Sequence, residues 1–549
     1  MEYGFHQVIS QKKEVRDEEI DERIRRFFTV SPNTTSEENR LEEMASALAV
    51  EFLSSKNTNS DIKLNDLAEK FKNTEIPAHP INESDYINAL AQDIVAHAIR
   101  TSSPRFIGHM TSALPSFMRP LTKILIAMNQ NMVKVETAKS LTFYERQGLA
   151  MFHRLAFGFP EDFYKTHVQR PGSTLGILTS GGTVANTTAL WCARNLVLGP
   201  EGGFKGIEQE GLPSALKHYG YDGGVIIGSS LMHYSFEKAA ALLGLGASSL
   251  IRIPIDNKNR VDLAKLRDAI EESRARNRVI IAIVGVAGST DLGSIDPISE
   301  MGKVARDENI HFHVDAAWGG AFLLSKCFRS KLDGIELADT VTIDGHKQLY
   351  LPMGQGMLLL RDIEMANLIE KQANYILRPG SLDLGKRSLE GSRPAAVILL
   401  HAALNLFGQK GYEYLLGEAI RKAGYMVQTI SNRPEFELIA SPDLNIVVYR
   451  FLPPAHRKKA AQGLLDESDN AEINEINKRI QQEQRKAGNG FISRTTLSLD
   501  GRKFTIPIIG LRAVIANPLT TETDIDAVLD EQADIAASLI EDQANRDEK

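Results

Sequence analysis

The chain has 549 residues, with 63 Lys and Arg against 70 Asp and Glu and a formal net charge of −7. It is too long for one hydrophobic core, since cores stop growing at about 250–300 residues, and too acidic for a general field that gathers nucleic acid or anionic membrane. Hydrophobic residues at 43% and charged residues at 24% exclude wholesale disorder.

The N-terminal stretch MEYGFHQVISQKKEVRDEEIDE is charged from its second residue and has no apolar signal core. Residues 20–28, 41–52 and 86–99 then carry apolar residues at helical spacing, with polar breaks at 31–36 and 54–60. These segments make a helical N-terminal segment, expected over 1–110. Its apolar faces bury too little alone and call for cover from the main body or a second subunit.

From about residue 174 the texture becomes short apolar runs alternating with helical patterns. Strands are expected at 175–178, 224–228, 249–255, 279–286, 310–314, 340–343 and 356–360. Helices are expected at 183–196, 235–243, 262–273 and 297–308. Continuous β-branched runs separated by helices imply a mainly parallel sheet covered on both faces. A large α/β domain is therefore expected over 111–395.

Beyond it come helical patterns at 402–407, 412–423, 471–486 and 522–536, with strands near 436–439, 445–451, 491–498 and 511–515. That mixture reads as a small α+β domain over 396–549. The longest apolar runs, 279–287 and 395–407, fall short of the roughly 18 residues that a membrane span needs. Two cysteines, Cys192 and Cys327, make no disulfide framework and fit a reducing, cytoplasmic setting.

Several strand ends carry chemistry. Gly181-Gly182-Thr183 turns an apolar strand into a helix, where backbone N–H groups and the helix dipole favour an anion; a plain tight turn reads the same way. Asp315 ends the strand 310–314. With His311 and His313 it shares one strand face, which suits a zinc site. Alone it suits a buried acid paired with a cationic heterocycle, or a cap on the next turn. Lys347 follows the strand 340–343 among small residues, where desolvation would lower its pKa and make it a Schiff-base nucleophile. His233 follows the strand 224–228. Taken together, these ends offer an anion cradle, a flat ring, an acid and an amine, which is the set that pyridoxal 5′-phosphate requires.

The strings SGGTVAN (180–186), HYSFEKAA (233–240), HVDAAWGG (313–320) and DGHKQLYLP (344–352) resemble the group II pyridoxal-phosphate amino acid decarboxylases in order and spacing. SPRFIGHM (103–110) and GLRAVIANP (510–518) extend the resemblance from about 104 to 518. It implies the aspartate aminotransferase-like fold, fold type I, and a homodimer with its active site between subunits. It further implies Lys347 as the Schiff-base lysine, Asp315 against the pyridine nitrogen, Ala317 under the ring and His233 on its other face. Gly182, Thr183, His346 and Asp344 fall in the phosphate neighbourhood, and Thr290 near the ring oxygen or substrate. Arg393, in GSRPA, matches the arginine that binds the substrate carboxylate, a role suited to a bidentate guanidinium.

One departure stands out. Family members often carry a proton-donating tyrosine in a mobile loop ahead of that arginine, whereas 376–392 has no Tyr, Phe or His and Tyr375 only borders it. Pro379-Gly380 and Gly385 read as hinges of a lid. General similarity points to the bacterial aspartate 1-decarboxylase type, and the small polar residues Gly108–Ser112 suit a short acidic side chain. The expected reaction is therefore L-aspartate to β-alanine, the precursor used in pantothenate biosynthesis. Glutamate decarboxylation, an aldehyde-forming decarboxylase, a metal-dependent hydrolase on His311, His313 and Asp315, and a non-catalytic homologue are the alternatives.

Overall fold

The structure, a computed structural model, describes residues 17–28, 36–372, 380–498 and 506–547. The chain divides into two compact units, one of residues 1–108, 478–493 and 519–549 and one of 109–477 and 494–518.

The first unit is helical. Its helices include Asp17–Phe28, Ser36–Ser54, Glu83–Asp93 and Glu522–Asp547. Asn82 caps the third by accepting the Ser84 N–H. Arg26 donates to Glu83 at 2.7 Å, and Phe106 stacks on Phe491 with ring centres 4.7 Å apart.

The second unit is built on a seven-stranded sheet: β1 (Gly176–Thr179), β2 (Gly223–Ser229), β3 (Leu250–Ile253), β4 (Arg278–Val286), β5 (Phe312–Asp315), β6 (Thr340–Asp344) and β7 (Gly356–Leu360). Their order is β1-β7-β6-β5-β4-β2-β3. Pairings from β3 through β2, β4 and β5 to β6 are parallel, while β7 runs antiparallel to both β1 and β6. The fold class is the α/β one expected. The reversal at β7 follows from the short connection 345–355, which has no crossover helix to bring the chain back in the same direction.

The strands are apolar on both faces because both are covered. Val225 and Ile227 of β2 enter one core, and Ile226 between them enters the other. The helix Gly182–Val197 lies over the second face, with Ala185, Ala189 and Ala193 fully buried. The helix Leu263–Ala275 starts at Asp262, whose carboxylate accepts the N–H groups of Ala264 and Lys265.

A second sheet, of four strands, contains β8 (Phe436–Ala440), β9 (Ile446–Phe451), β10 (Ser493–Leu497) and β11 (Ile508–Val514), in the order β10-β11-β9-β8. The two helical patterns expected around residues 402–423 are two helices within Val397–Ser431, which meet at a kink where Gly408 takes φ 61°. No helix among the described residues is long and apolar enough to cross a membrane.

Candidate active site

The carboxyl ends of β1, β2, β4, β5 and β6 converge on one cavity of about 500 Å³, within the range that small-molecule sites occupy. From β1 come Gly181, Gly182 and Thr183, and from beyond β2 comes His233. Past β4 lie Gly288 and Thr290, past β5 lie Asp315 and Ala317, and past β6 lie Asp344, His346 and Lys347.

The β1 turn is tightly built. A Cβ on Gly182 would lie 3.1 Å from Asp344 Oδ2 and 3.4 Å from Ala317 Cβ, so glycine lets the helix start press against the ends of β5 and β6. The Gly182 N–H donates to Asp344 Oδ2 at 3.2 Å. Asp344 also lies 2.9 Å from His346 Nδ1 and 3.6 Å from Lys347 Nζ. A lysine amine, an imidazole and a helix N-terminus thus meet at one corner, which suits a phosphate.

Asp315 stands at the buried end of β5. One of its oxygens accepts the Ala317 N–H at 3.0 Å, and the other accepts the Asn186 amide at 3.0 Å. Two donors fix the direction of the carboxylate, as an acid paired with a protonated ring nitrogen requires. Ala317, one step beyond the strand, presents only a methyl group to the cavity, leaving room for a flat ring. His233 accepts the Ser235 N–H on Nδ1 at 3.2 Å, which places its proton on Nε2. Burial depresses its pKa; Asp315 opposes this, Lys347 reinforces it, and Asp344 and Asp291 oppose it. Its ring enters the site neutral.

The arginine expected for the substrate carboxylate is elsewhere. Arg393 does not line this cavity; its guanidinium forms a two-pronged pair with Glu145, with Nη1 at 2.6 Å from Oε2 and Nη2 bonded to Oε1. Burial disfavours the charge, but Glu145 overcomes it and holds the Arg393 pKa above the ordinary value. A guanidinium already closed on a buried carboxylate has its fork occupied. Arg512, on β11, does line the cavity, and its Nε donates to the Thr290 carbonyl at 2.7 Å. Burial pushes it down to about 10 against the pull of Asp291, leaving it cationic at neutral pH. The sequence signal for Arg512 was a charge in the middle of the apolar run 506–516, read there only as part of a strand.

His109, Met110 and Thr111 line the same cavity. His109 Nδ1 accepts the Thr111 N–H at 3.2 Å and lies 2.8 Å from its hydroxyl. Burial, then Arg512, His346 and Lys347, depress the His109 pKa.

The hydrolase alternative fares differently. His311 and His313 each approach the Thr340 hydroxyl at 2.9 Å instead of sharing a point with Asp315. Among the described residues no group of three or more His, Cys, Asp and Glu is placed to hold a metal. Tyr375 and Pro379 lie outside the described residues.

The residues present fit pyridoxal 5′-phosphate. The cavity offers an amine, a carboxylate held by two hydrogen bonds, a methyl-floored slot and a glycine-lined corner at a helix N-terminus, the groups that the cofactor's aldehyde, nitrogen, ring and phosphate demand.

Comparison with known proteins agrees. Residues 67–452 match the pyridoxal-dependent decarboxylase conserved domain. The chain is 45% identical over 521 residues to aspartate 1-decarboxylase of Aliivibrio fischeri (strain ATCC 700601 / ES114), covering 94% of this chain and 95% of that one. It is 27% identical over 457 residues to L-2,4-diaminobutyrate decarboxylase of Rhizobium meliloti (strain 1021), covering 82% and 81%. The crystal structure of mouse CSAD superposes with a TM-score of 0.79 at 24% identity, over 91% of this chain and 98% of that one.

Proposed function

Because the chain belongs to the pyridoxal-dependent decarboxylase family, we propose that it converts L-aspartate to β-alanine and carbon dioxide. Its cofactor is pyridoxal 5′-phosphate. When bound, the cofactor supplies an aldehyde for the amine and a ring that takes up the electron pair left by the departing carboxylate.

The chain's own residues do the rest. Lys347 Nζ would provide the amine that anchors the cofactor. Asp315 would stand against the ring nitrogen and hold the proton there, which keeps the electron sink at full strength. Ala317 and His233, both on the cavity wall, would pack on the ring. Gly182, Thr183, Asp344 and His346 form the phosphate corner, and Thr290 lies beside the ring and substrate.

The observation that carries the substrate reading is that one cavity holds two separate carboxylate partners. Arg512 binds the α-carboxylate and sets the direction of the bond to be broken. His109, with its proton on Nε2, and Thr111 meet the side-chain carboxylate. A dicarboxylic amino acid satisfies both, and a hydrophobic one leaves buried polar groups without partners. The 45% identity with an aspartate 1-decarboxylase supports the shorter acid. β-Alanine, the product, is the form in which such an enzyme would feed pantothenate biosynthesis.

A homodimer fits this reading. Ile124 and Ile126 on the helix Met118–Met128, and Phe143 and Met151 on the helix Ser140–Phe157, are exposed apolar side chains that a second copy would cover. The free thiols Cys192 and Cys327 accord with a cytoplasmic setting.

Borohydride reduction of the loaded enzyme followed by peptide mass mapping should place the cofactor on Lys347. Carbon dioxide release should be faster from L-aspartate than from glutamate, 2,4-diaminobutyrate or aromatic amino acids. A preference for any of those overturns the substrate assignment, and an adduct on another lysine overturns the site.

A further inference from the structure

The site uses Asp315 but leaves unexplained the two other polar residues on its strand face. His311 and His313 are buried, His313 completely, and buried imidazoles without a purpose are costly. In the structure they belong to one chain of hydrogen bonds that ends on Asp315. His311 Nε2 is 2.9 Å from Thr340 Oγ1, and Thr340 Oγ1 is 2.9 Å from His313 Nδ1. His313 Nε2 is 3.1 Å from Asn186 Oδ1, and Asn186 Nδ2 is 3.0 Å from Asp315 Oδ2. At the outer end, His311 Nδ1 lies 3.7 Å from the partly exposed Asp339 carboxylate.

Chemistry fixes the direction of every link. Asn186 must turn its amide nitrogen toward Asp315, because its oxygen there would face a carboxylate; the same nitrogen also donates to Ser235 Oγ at 3.1 Å. Its oxygen can only accept, so His313 carries its proton on Nε2. Burial, with His311 beside it, pushes His313 down to about 3, so its Nδ1 is bare at neutral pH and accepts the Thr340 hydroxyl. That hydroxyl oxygen in turn accepts from His311 Nε2. All four donors therefore point the same way, inward.

We propose that His311, Thr340, His313 and Asn186 are positioning residues, a one-way hydrogen-bond relay that holds the Asp315 carboxylate aimed at the cofactor's ring nitrogen. This rests on the cofactor reading above. Dipoles aligned head to tail polarise one another, so the last N–H on Asp315 is stronger than an isolated amide would give. The last donor is an amide N–H, which bonds to Asp315 without giving up its proton.

The test compares two ligands on the apoprotein. One is pyridoxal 5′-phosphate; the other is its analogue with C–H in place of the ring nitrogen. Binding is followed by quenching of Trp318, which lines the cavity. His313→Phe should weaken pyridoxal phosphate about tenfold, a loss typical of a charged hydrogen bond left unsupported, and leave the analogue's affinity unchanged. His313→Gln keeps an N–H directed at Asn186 and should recover most of the loss. Should the phenyl ring prevent folding, Thr340→Val makes the same comparison, with an expected loss of about threefold for the cofactor alone.

Equal losses for both ligands would assign these residues to packing and overturn the relay, as would no loss for either. A wild-type apoprotein that binds neither ligand would instead sink the cofactor reading itself.

Discussion

Arg393 and Arg512, both in the second unit, are the same residue type put to opposite uses. Arg393 closes on Glu145, which is 1% exposed, and together they form a satisfied internal pair. Arg512 hangs from the Thr290 carbonyl and turns to the cavity that holds Lys347 and Asp315. One guanidinium spends its charge inside the fold; the other brings its charge to a site. The difference lies in the partner at close range: Glu145 takes both prongs of Arg393, while Asp291 acts on Arg512 through its charge.

Experiments that separate the two test this contrast directly. The largest effect is expected from Arg512→Met, which should lower kcat/KM for aspartate by about 100-fold or more, the usual scale for removing a buried charge partner. Its urea unfolding midpoint should move little. Arg393→Met should do the reverse, costing about 3–5 kcal/mol of stability by stranding the Glu145 carboxylate, with the KM of the remaining folded enzyme close to wild type. The double variant Arg393→Met/Glu145→Leu should regain most of that stability. If Arg393→Met raised KM more than Arg512→Met, the two roles would have to be exchanged.

A smaller effect concerns acid. His153 is buried between Tyr164 and the Leu360 carbonyl, with Phe157, Phe159 and Phe163 around it. Burial pushes it down to about 4. In the unfolded chain an imidazole takes up its proton near the ordinary value of about 6.5, so between those two values the unfolded state binds more protons. The contribution of His153 is therefore complete above about pH 6.5 and is lost as pH falls toward 4. His153→Gln should reduce the slope of stability against pH in that window by about one proton. An unchanged slope would mean that His153 is already charged in the fold.

These contrasts also explain what could be read in the sequence. The strand-end residues were legible because each lies one to four positions from an apolar run that declares its strand: Asp315 after 310–314, Lys347 after 340–343, Gly182 after 175–178. Local pattern placed them at the same sheet edge before any coordinate was known. Arg393 misled because its partner Glu145 is 248 residues away, and no spacing betrays such a pair. Arg512 was hidden in plain view, as a charge on a strand otherwise apolar and wholly buried. The helix Ser140–Phe157, which supplies Glu145, was not anticipated; its polar positions blur the apolar stripe, although ten of its residues are buried. The reversal of β7 was likewise invisible, because an apolar run states that a strand is buried without stating its direction.

Reversed, β7 begins where the other strands finish, and Gly356, its first residue, rests against the β1 turn. A methyl group there would sit 2.6 Å from the Gly181 carbonyl carbon and 3.0 Å from the Gly182 nitrogen, both main-chain atoms with nowhere to retreat. A position outside the cavity lining therefore sets the space left for a turn that belongs to it. Anyone seeking to loosen or tighten vitamin B6 retention in this scaffold has a lever outside the catalytic pocket, and any random alanine there would be felt as a lost coenzyme long before it was felt as a lost enzyme.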